Sequence, residues 1–351
     1  MKIIHIELGQ SLYGGAKQAV MLARKQQKNN LDVHLICPEG SMIATYITDL
    51  PIIKVPYYGS LDFSGRNGIR KVIKQMDPDI VHCHSRRGAD SFGSLGLIKA
   101  KTVLTRRVIG SEPKWILRRK LSRFSQLVAI SHAIQKNLND CLGVDKNSIP
   151  IIHSSADYIN DIEEHECADF NIKPPLKLLL VSQLIKRKQC HVALVAVKKL
   201  LDHGHSVTLD CFGTGPMKRK LVDYVRKNNL SGSVFFNDYD PNLEKNYCKY
   251  DILIHTANNE GLGAVIIEAM ANQVPVIATK IGGITDLIDD QETGLLFEAG
   301  NCTMLMDKII YLSTHSNLIR KIKKNAVLNI LRDFNINQNE KKYYKLYESL
   351  L

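Results

Sequence analysis

The chain contains no apolar run approaching the ~20 residues that span a bilayer, so no membrane-spanning helix is expected. The N-terminus, MKIIHIELGQ, lacks the longer apolar core and small-residue cleavage site of a signal peptide. The expected location is the cytoplasm, either free or at the inner face of the cytoplasmic membrane. No CxxC pair occurs among the eight cysteines, Cys37, Cys83, Cys141, Cys167, Cys190, Cys211, Cys248 and Cys302. Several lie in strand-like apolar runs and read as reduced core residues rather than a zinc site or disulfide framework. The chain also lacks a dinucleotide fingerprint. FGTGP carries Gly213 and Gly215, but Lys218 stands where GxGxxG requires its third glycine, which disfavours a nicotinamide dehydrogenase.

What remains is an ordinary globular composition, 351 residues with 44% hydrophobic and 23% charged. That length suggests two domains, because single cores rarely grow past roughly 250–300 residues. The net charge is +12, and one stretch holds nearly all of it: residues 60–136 carry 16 Lys and Arg against 5 Asp and Glu. Such a stretch is either a solvated basic face or a surface for an anionic partner such as anionic lipid, a phosphorylated glycan or nucleic acid.

Short apolar runs alternate with helical patterns. MKIIHIEL, VHLICP, DIVHCH, TVLTRR, LVAISH and IPIIH read as strands in the first half; LKLLLVS, SVTLDCFG, SVFFND, DILIHT and VPVIAT follow in the second. Helix candidates such as GGAKQAVMLARKQQKNN, GADSFGSLGLIKA, CHVALVAVKKLLDHG and GAVIIEAMANQ lie between them. Strands apolar on both faces, alternating with helices, predict doubly wound parallel sheets. The alternation pauses over 157–175, which is acidic and ends in two prolines, the composition of a linker. The fold class is therefore α/β, with two facing Rossmann-like domains over 1–170 and 171–335 and a terminal helix over 336–351.

Open α/β sheets bind ligands at the carboxyl ends of their strands. After the first strand, Gly14 and Gly15 open a helix whose N-terminal amides suit an anion, although a tight turn also explains them. His82 and His84 alternate with Val81 and Cys83, so both face one way, and His84 stands at the strand end, followed by Ser85, Arg86 and Arg87. The next strand ends in Thr105, Arg106 and Arg107. Gln183, Lys186, Arg187 and Lys188 crowd a turn whose cations suit a diphosphate; Gly213 and Gly215 let a bulky group approach the backbone.

The stretch NNEGLGAVIIEAMA is the most informative. Glu268 lies in a run reading as a helix buried nearly all round, where a carboxylate needs either a protein partner or a ligand. Glu260 sits at a strand end, Gly261, Leu262 and Gly263 open the helix, and Glu268 projects back toward that opening. A carboxylate with two acceptor oxygens fits the cis-diol of a ribose, and this context favours the ligand.

Glu260 and Glu268 within EGLGAVIIEAMA, followed by VPVIAT, Gly282–Gly283 and TGLLF of 293–297, resemble the donor-site signature of the retaining family 4 glycosyltransferases of GT-B fold. The resemblance covers nearly the whole chain: Gly14–Gly15, HCH of 82–84, AISHAI of 129–134, the turn of 182–189, FGTGP of 212–216 and the final helix fall in the expected order. It implies that Glu260 contacts the donor sugar, Glu268 holds the ribose, and Lys188 meets the diphosphate. His84 would lie near the reacting centre and Gly14–Gly15 over the phosphates; the last helix would cross back onto the first domain. No metal and no cofactor are implied beyond the nucleotide-sugar, with a UDP-sugar favoured over a GDP-sugar. The family commonly has Gly-Arg where this chain has Ser182-Gln183, so Arg187 or Lys186 would supply the missing cation. Its Asn-Gly ahead of the interdomain Asp157 is Ser154-Ser155 here. Asp238 and Asp240 in NDYDPN look like a metal-binding DxD but lie where the family meets the base.

The expected activity is retaining transfer of a hexose-type sugar by same-face displacement. The acceptor would be an anionic glycan or glycolipid of lipopolysaccharide core or surface polysaccharide synthesis, bound by Arg86, Arg87, Arg106 and Arg107. Trp115 beside Lys114, Arg118, Arg119 and Lys120 suits peripheral contact with an anionic membrane or a phosphate-bearing lipid-linked glycan. The rival readings are a nucleotide-sugar 2-epimerase of the same fold and a basic nucleic-acid-binding protein; the second leaves Glu260 and Glu268 without a role, and no nucleic-acid partner is expected.

Overall fold

The computed structural model describes residues 1–351 except 13, 60–61, 86, 89–97, 110–112, 157–173, 239 and 241–242. The chain forms two compact units, Met1–Asp157 with Asn335–Leu351, and Tyr158–Phe334. The expected junction at 170–171, Asp157, Cys167, and most of the helix read over GADSFGSLGLIKA lie outside the described residues.

The first unit is built on a sheet of β1 (Lys2–Ile6), β2 (Asp32–Pro38), β3 (Ile52–Val55), β4 (Ile80–Cys83), β5 (Lys101–Arg106) and β6 (Gln126–Ala129). Its order is β3-β2-β1-β4-β5-β6, and every pairing is parallel. The second unit repeats the plan with β7 (Leu176–Val181), β8 (Val207–Phe212), β9 (Val234–Asn237), β10 (Ile252–His255), β11 (Val276–Thr279) and β12 (Leu295–Phe297). Its order is β12-β11-β10-β7-β8-β9, again parallel throughout. Both sheets thus reverse direction once, between β1 and β4 and between β7 and β10. At such a switch point the loops leaving the two central strands diverge and open a crevice.

The strands are short because both faces are covered. Ile3, Val33, Leu35, Ile80, Val103 and Val128 share one core with Tyr343 and Tyr347 of the last helix; Leu178, Leu180, Leu209, Ile252, Ile254 and Ile277 share the other with Val192 and Ala196. That last helix, Ile336–Leu350, starts at Asn335, whose side chain accepts from the Asn337 amide. It therefore belongs to the first unit, with Glu340 receiving the Asn29 amide at 2.7 Å.

Three local expectations are corrected. IPIIH makes only an isolated bridge, Ile151 to Ala129. PIIKV and GLLF supply β3 and β12, edge strands that the apolar-run pattern passed over. Cys37, Cys83, Cys190 and Cys211 are buried free thiols, but Cys248 is exposed and is no core residue. No helix among the described residues is long and apolar enough to cross a membrane.

Candidate active site

In the second unit the switch point gathers the carboxylate and the cation singled out from the sequence. β7 runs into the short 3-10 turn Lys186–Lys188, and β10 ends at His255, followed by the loop to Glu260. Backbone bonds clamp the two loops together: the Asn258 amide donates to Arg187 O at 2.9 Å, and Thr256 Oγ1 donates to Lys188 O at 2.9 Å. Lys188 Nζ is thereby set against Glu260 Oε2 in an ion pair, each side chain only 13% exposed. His255 Nε2 lies 3.2 Å from the same oxygen, where it helps to hold the carboxylate charged, and the ring's Nδ1 has no hydrogen-bond partner. Burial pushes the Glu260 carboxyl up, but the Lys188 ammonium and the neighbouring His255 more than offset it and hold it well below the usual carboxylate range. Burial pushes His255 down, opposed by Glu260.

Beyond Glu260, the helix Ala264–Ala271 begins at Gly263, whose φ of 100° turns the chain into it, and Leu262 beside it is 1% exposed. This helix is not buried all round. Ala264, Val265 and Glu268 form one half-buried stripe, and Tyr247 OH donates to Glu268 Oε2 at 3.2 Å. Glu268 therefore has a protein partner and keeps an accessible edge, so both readings of it hold part of the answer. Arg187 lends its guanidinium to Asn259 O at 3.3 Å, which keeps it on the Glu260 loop; Lys186 is exposed. Gln183 is half-buried and its carbonyl accepts the Ile185 amide.

Gly213 and Gly215 have another reason than a ligand. A Cβ on Gly213 would stand 2.0 Å from Ser182 O, and one on Gly215 would stand 2.5 Å from Leu184 O. The close approach is made by the chain's own β7 turn. Asp238 is exposed and paired to Lys218 at 2.7 Å.

In the first unit, β1 and β4 carry a second cluster. Their register sets His5 opposite His82, and the strand-end His84 completes a stack with 3.9 Å between the His82 and His84 ring centroids. His5 Nδ1 lies 2.8 Å from His84 Nε2, and His5 Nε2 lies 2.8 Å from Gln26 Oε1. His82 is bonded to Tyr347 OH at 2.6 Å and to Thr105 Oγ1 at 2.7 Å. Ring nitrogens of the three histidines lie within 4.8 Å of one another, a spacing a metal ion could use. Their lone pairs and protons are already engaged by these neighbours, which fits a hydrogen-bonded cluster better than a metal centre. Burial lowers all three; His5 is brought to about 4, with the Gln26 bond opposing.

Arg107 lies with its Nη2 3.4 Å from His84 Nδ1 and its Nη1 donating to Ser154 Oγ at 3.2 Å. Gly15 is packed against it, since a Cβ there would meet Arg107 Cδ at 2.9 Å. Gly14 starts the helix Gly14–Lys28 with a φ of 30°. Arg106 is 3% exposed, so it does not lie on an open basic face. Arg87 is exposed and reaches Leu8 O at 3.4 Å; Arg86 lies outside the described residues. Ser155 is tied to Gln18 by a reciprocal pair of bonds at 2.6 and 2.7 Å. Glu7, 3% exposed, accepts the Gly9 amide at 2.8 Å; burial raises it against that bond and the Arg107 charge.

Sequence reasoning missed His5, Gln26, Glu7, Tyr247 and His255. The strand-end rule that found His84 applies equally to His255 in DILIHT. Gln26 and Tyr247 carry no signal, because helix side chains give no indication of their distant partners.

Two family descriptions match the chain: Glycosyltransferase Family 4 over residues 13–158, and Glycosyl transferases group 1 over residues 162–328. The chain therefore carries two glycosyltransferase family domains, one description lying over most of each unit, in a GT-B fold. It is similar to a poly(ribitol-phosphate) alpha-N-acetylglucosaminyltransferase of Staphylococcus aureus, 26% identical over 170 residues, which are 48% of this chain and 34% of that protein. The chain thus spans about a third of that relative's length. The Staphylococcus aureus capsular polysaccharide biosynthesis glycosyltransferase CapM is 22% identical over 331 residues, covering 86% of this chain and 85% of its own. Among solved structures, Anabaena HepE in complex with UDP and glucose superposes with a TM-score of 0.84 at 19% identity, over 99% of this chain and 100% of that one.

Proposed function

We propose that this protein transfers a hexose-type sugar, with retention of anomeric configuration, from a nucleoside diphosphate donor to a glycan or lipid-linked acceptor of surface polysaccharide synthesis. The observation that carries it is the Lys188–Glu260 pair at the second switch point, with Glu268 one helix turn beyond the Gly261–Gly263 opening. A buried ammonium beside a carboxylate and a helix N-terminus gives one anion-binding end and one sugar-binding end. In this reading Lys188 and the Gly261–Gly263 amides stabilise the charge growing on the leaving diphosphate, without a metal ion. Glu260 holds the sugar, and Glu268 the ribose. Arg187, held on the Glu260 loop, replaces the arginine that the family carries at Gln183; donor affinity untouched in Arg187→Ala would sink that part. The acceptor hydroxyl loses its proton to the departing phosphate on the same face, and His84 with Arg107 serves the reacting centre. UDP is the favoured nucleotide, supported by the UDP and glucose in the Anabaena structure. A surface-glycan acceptor is supported by the capsular relative.

The exposed basic helix at Lys114–Leu121 adds contact with an anionic membrane. Leu117 and Leu121 are buried beneath it while Trp115 is 70% exposed.

The test is thermal stabilisation by UDP, GDP, ADP and NAD, on wild type and Glu268→Ala. A ligand raises the melting temperature only if it prefers the folded state. One nucleoside diphosphate should stabilise wild type and not the variant. No response, or a response to NAD alone, overturns the reading.

A further inference from the structure

His255 is a buried imidazole with one ring nitrogen unused in the protein as it stands. It is 3% exposed, and its Nδ1 has no hydrogen-bond partner. A buried polar group left this way is costly unless it is completed by something that arrives. Nε2 stands 3.2 Å from Glu260 Oε2, the oxygen that also receives the Lys188 ammonium. One carboxylate oxygen is therefore shared by a cation and a neutral base. The charged groups acting on His255 are Glu260 on its own loop, and Lys188 and Arg187 on the neighbouring 186–188 turn.

That sharing has a consequence for donor binding, and it rests on the reading of this site given above. Lys188 cannot serve the diphosphate and Glu260 equally. When the ammonium turns to the phosphates, Glu260 is left as a buried carboxylate without its cation, an expensive state. The nearest remedy is a proton on the imidazole that already faces it. We propose that His255 is a proton-accepting residue of the donor site, its imidazole taking up a proton when the donor diphosphate draws Lys188 away from Glu260. The proton comes from solvent onto the ring nitrogen that carries the free lone pair, both nitrogens then bear hydrogens, and the resulting imidazolium replaces the ammonium beside Oε2. Donor binding is then coupled to proton uptake, and by linkage donor affinity must rise as pH falls.

The sign follows from the two states. In the free protein burial holds His255 below its usual range, so it is neutral at pH 7. In the complex the same group faces an uncompensated carboxylate and is raised. Between those two values affinity gains up to about tenfold per pH unit of acidification, the limit for one proton.

The experiment is calorimetric titration of the whole protein with UDP-glucose and with GDP-mannose, whose diphosphate diesters do not themselves titrate near neutrality. Each is run in buffers of different ionisation heat. Uptake approaching one proton by wild type, abolished in His255→Gln together with the gain of affinity on acidification, supports the proposal. Binding without proton uptake by wild type overturns it and leaves the donor-site reading intact. If neither nucleotide-sugar binds at any pH, the donor-site reading falls and this inference falls with it. A second measurement needs no ligand. Lys188→Met removes the ammonium permanently, so the His255 ring resonance followed by NMR should titrate at higher pH than in wild type. An unchanged titration overturns the proposal.

Discussion

His84 hangs from His5: its Nε2 lies 2.8 Å from His5 Nδ1, deep in the first unit. Gln26 fixes the direction of that bond. Oε1 of Gln26 can only accept, so His5 carries its proton on Nε2, and its Nδ1 must accept from His84 Nε2–H. His84 is then left with an Nδ1 lone pair facing Arg107. A residue expected at the reacting centre is thus held neutral, in one tautomer, by two residues behind it. His5→Phe strands the His84 Nε2–H in a buried setting and should cost about 1–3 kcal/mol of stability. Urea unfolding reads this directly; a midpoint equal to wild type would show that the relay carries no weight.

The same cluster makes folding sensitive to acid. His5, with a folded value of about 4, stays neutral where the unfolded chain, at 6.5, binds a proton. Burial lowers His82 and His84 as well, each with neighbouring positive groups lowering it further. A buried histidine of lowered value contributes stability that is full above 6.5 and drains away as pH falls toward the folded value. Each should remove about 1.4 kcal/mol per pH unit within its window. Unfolding free energy measured from pH 7 to 5 should therefore fall steeply, and His5→Phe should flatten the slope by one histidine's share. Parallel slopes for the two proteins would contradict it.

Lys188 and Glu260 should behave as one unit. Both side chains are 13% exposed, so either single removal leaves the other charge buried, at a cost of about 3–5 kcal/mol. Lys188→Met with Glu260→Gln removes both charges, and the double variant should lose clearly less than the two singles together. Coupling of this kind is what a double-mutant cycle measures. Additive losses would mean that the two charges are separately solvated, and the preformed pair in the proposed donor site would have to be abandoned.

Much of this was legible in the sequence because parallel sheets bury both strand faces. β1, β4, β7 and β10 are central, rich in Ile, Leu and Val and buried, and show without help. β3 and β12 are edge strands: β3 carries the exposed Lys54 and is only partly buried, and β12 has three residues, so neither offers the buried apolar run that marks a central strand. The site divides along the same line. Strand ends and glycine turns mark Lys188, Glu260 and His84, because local chain order places them. Gln26, Tyr247 and Tyr347 reach their partners from helices far along the chain, and nothing local encodes that. Gly213 shows the opposite failing: its pattern is visible, but the atom it admits is Ser182 O of its own chain. Arg106 read as part of a basic face, yet its strand buries it to 3% exposure.

Trp115 offers the last test, because it is the one tryptophan in the chain. It lies on the helix Lys114–Leu121, 70% exposed, with Arg118 and Arg119 three and four residues on and also exposed. Residues at those spacings share a helix face, so the ring and two guanidiniums point out together. An aromatic ring suits the headgroup level of a bilayer, and each basic residue near an anionic surface adds about 1 kcal/mol, screened by salt. With vesicles rich in anionic lipid at low ionic strength, Trp115 emission should shift to the blue. Neutral vesicles should leave it unchanged, and salt should reverse it as the Debye length shrinks from about 30 Å at 0.01 M to about 8 Å at 0.15 M. Trp115→Ala should weaken flotation with the same vesicles without lowering the melting temperature, since the ring packs on little. Emission that never moves with anionic vesicles would make this helix a solvated basic face and remove the membrane from the account.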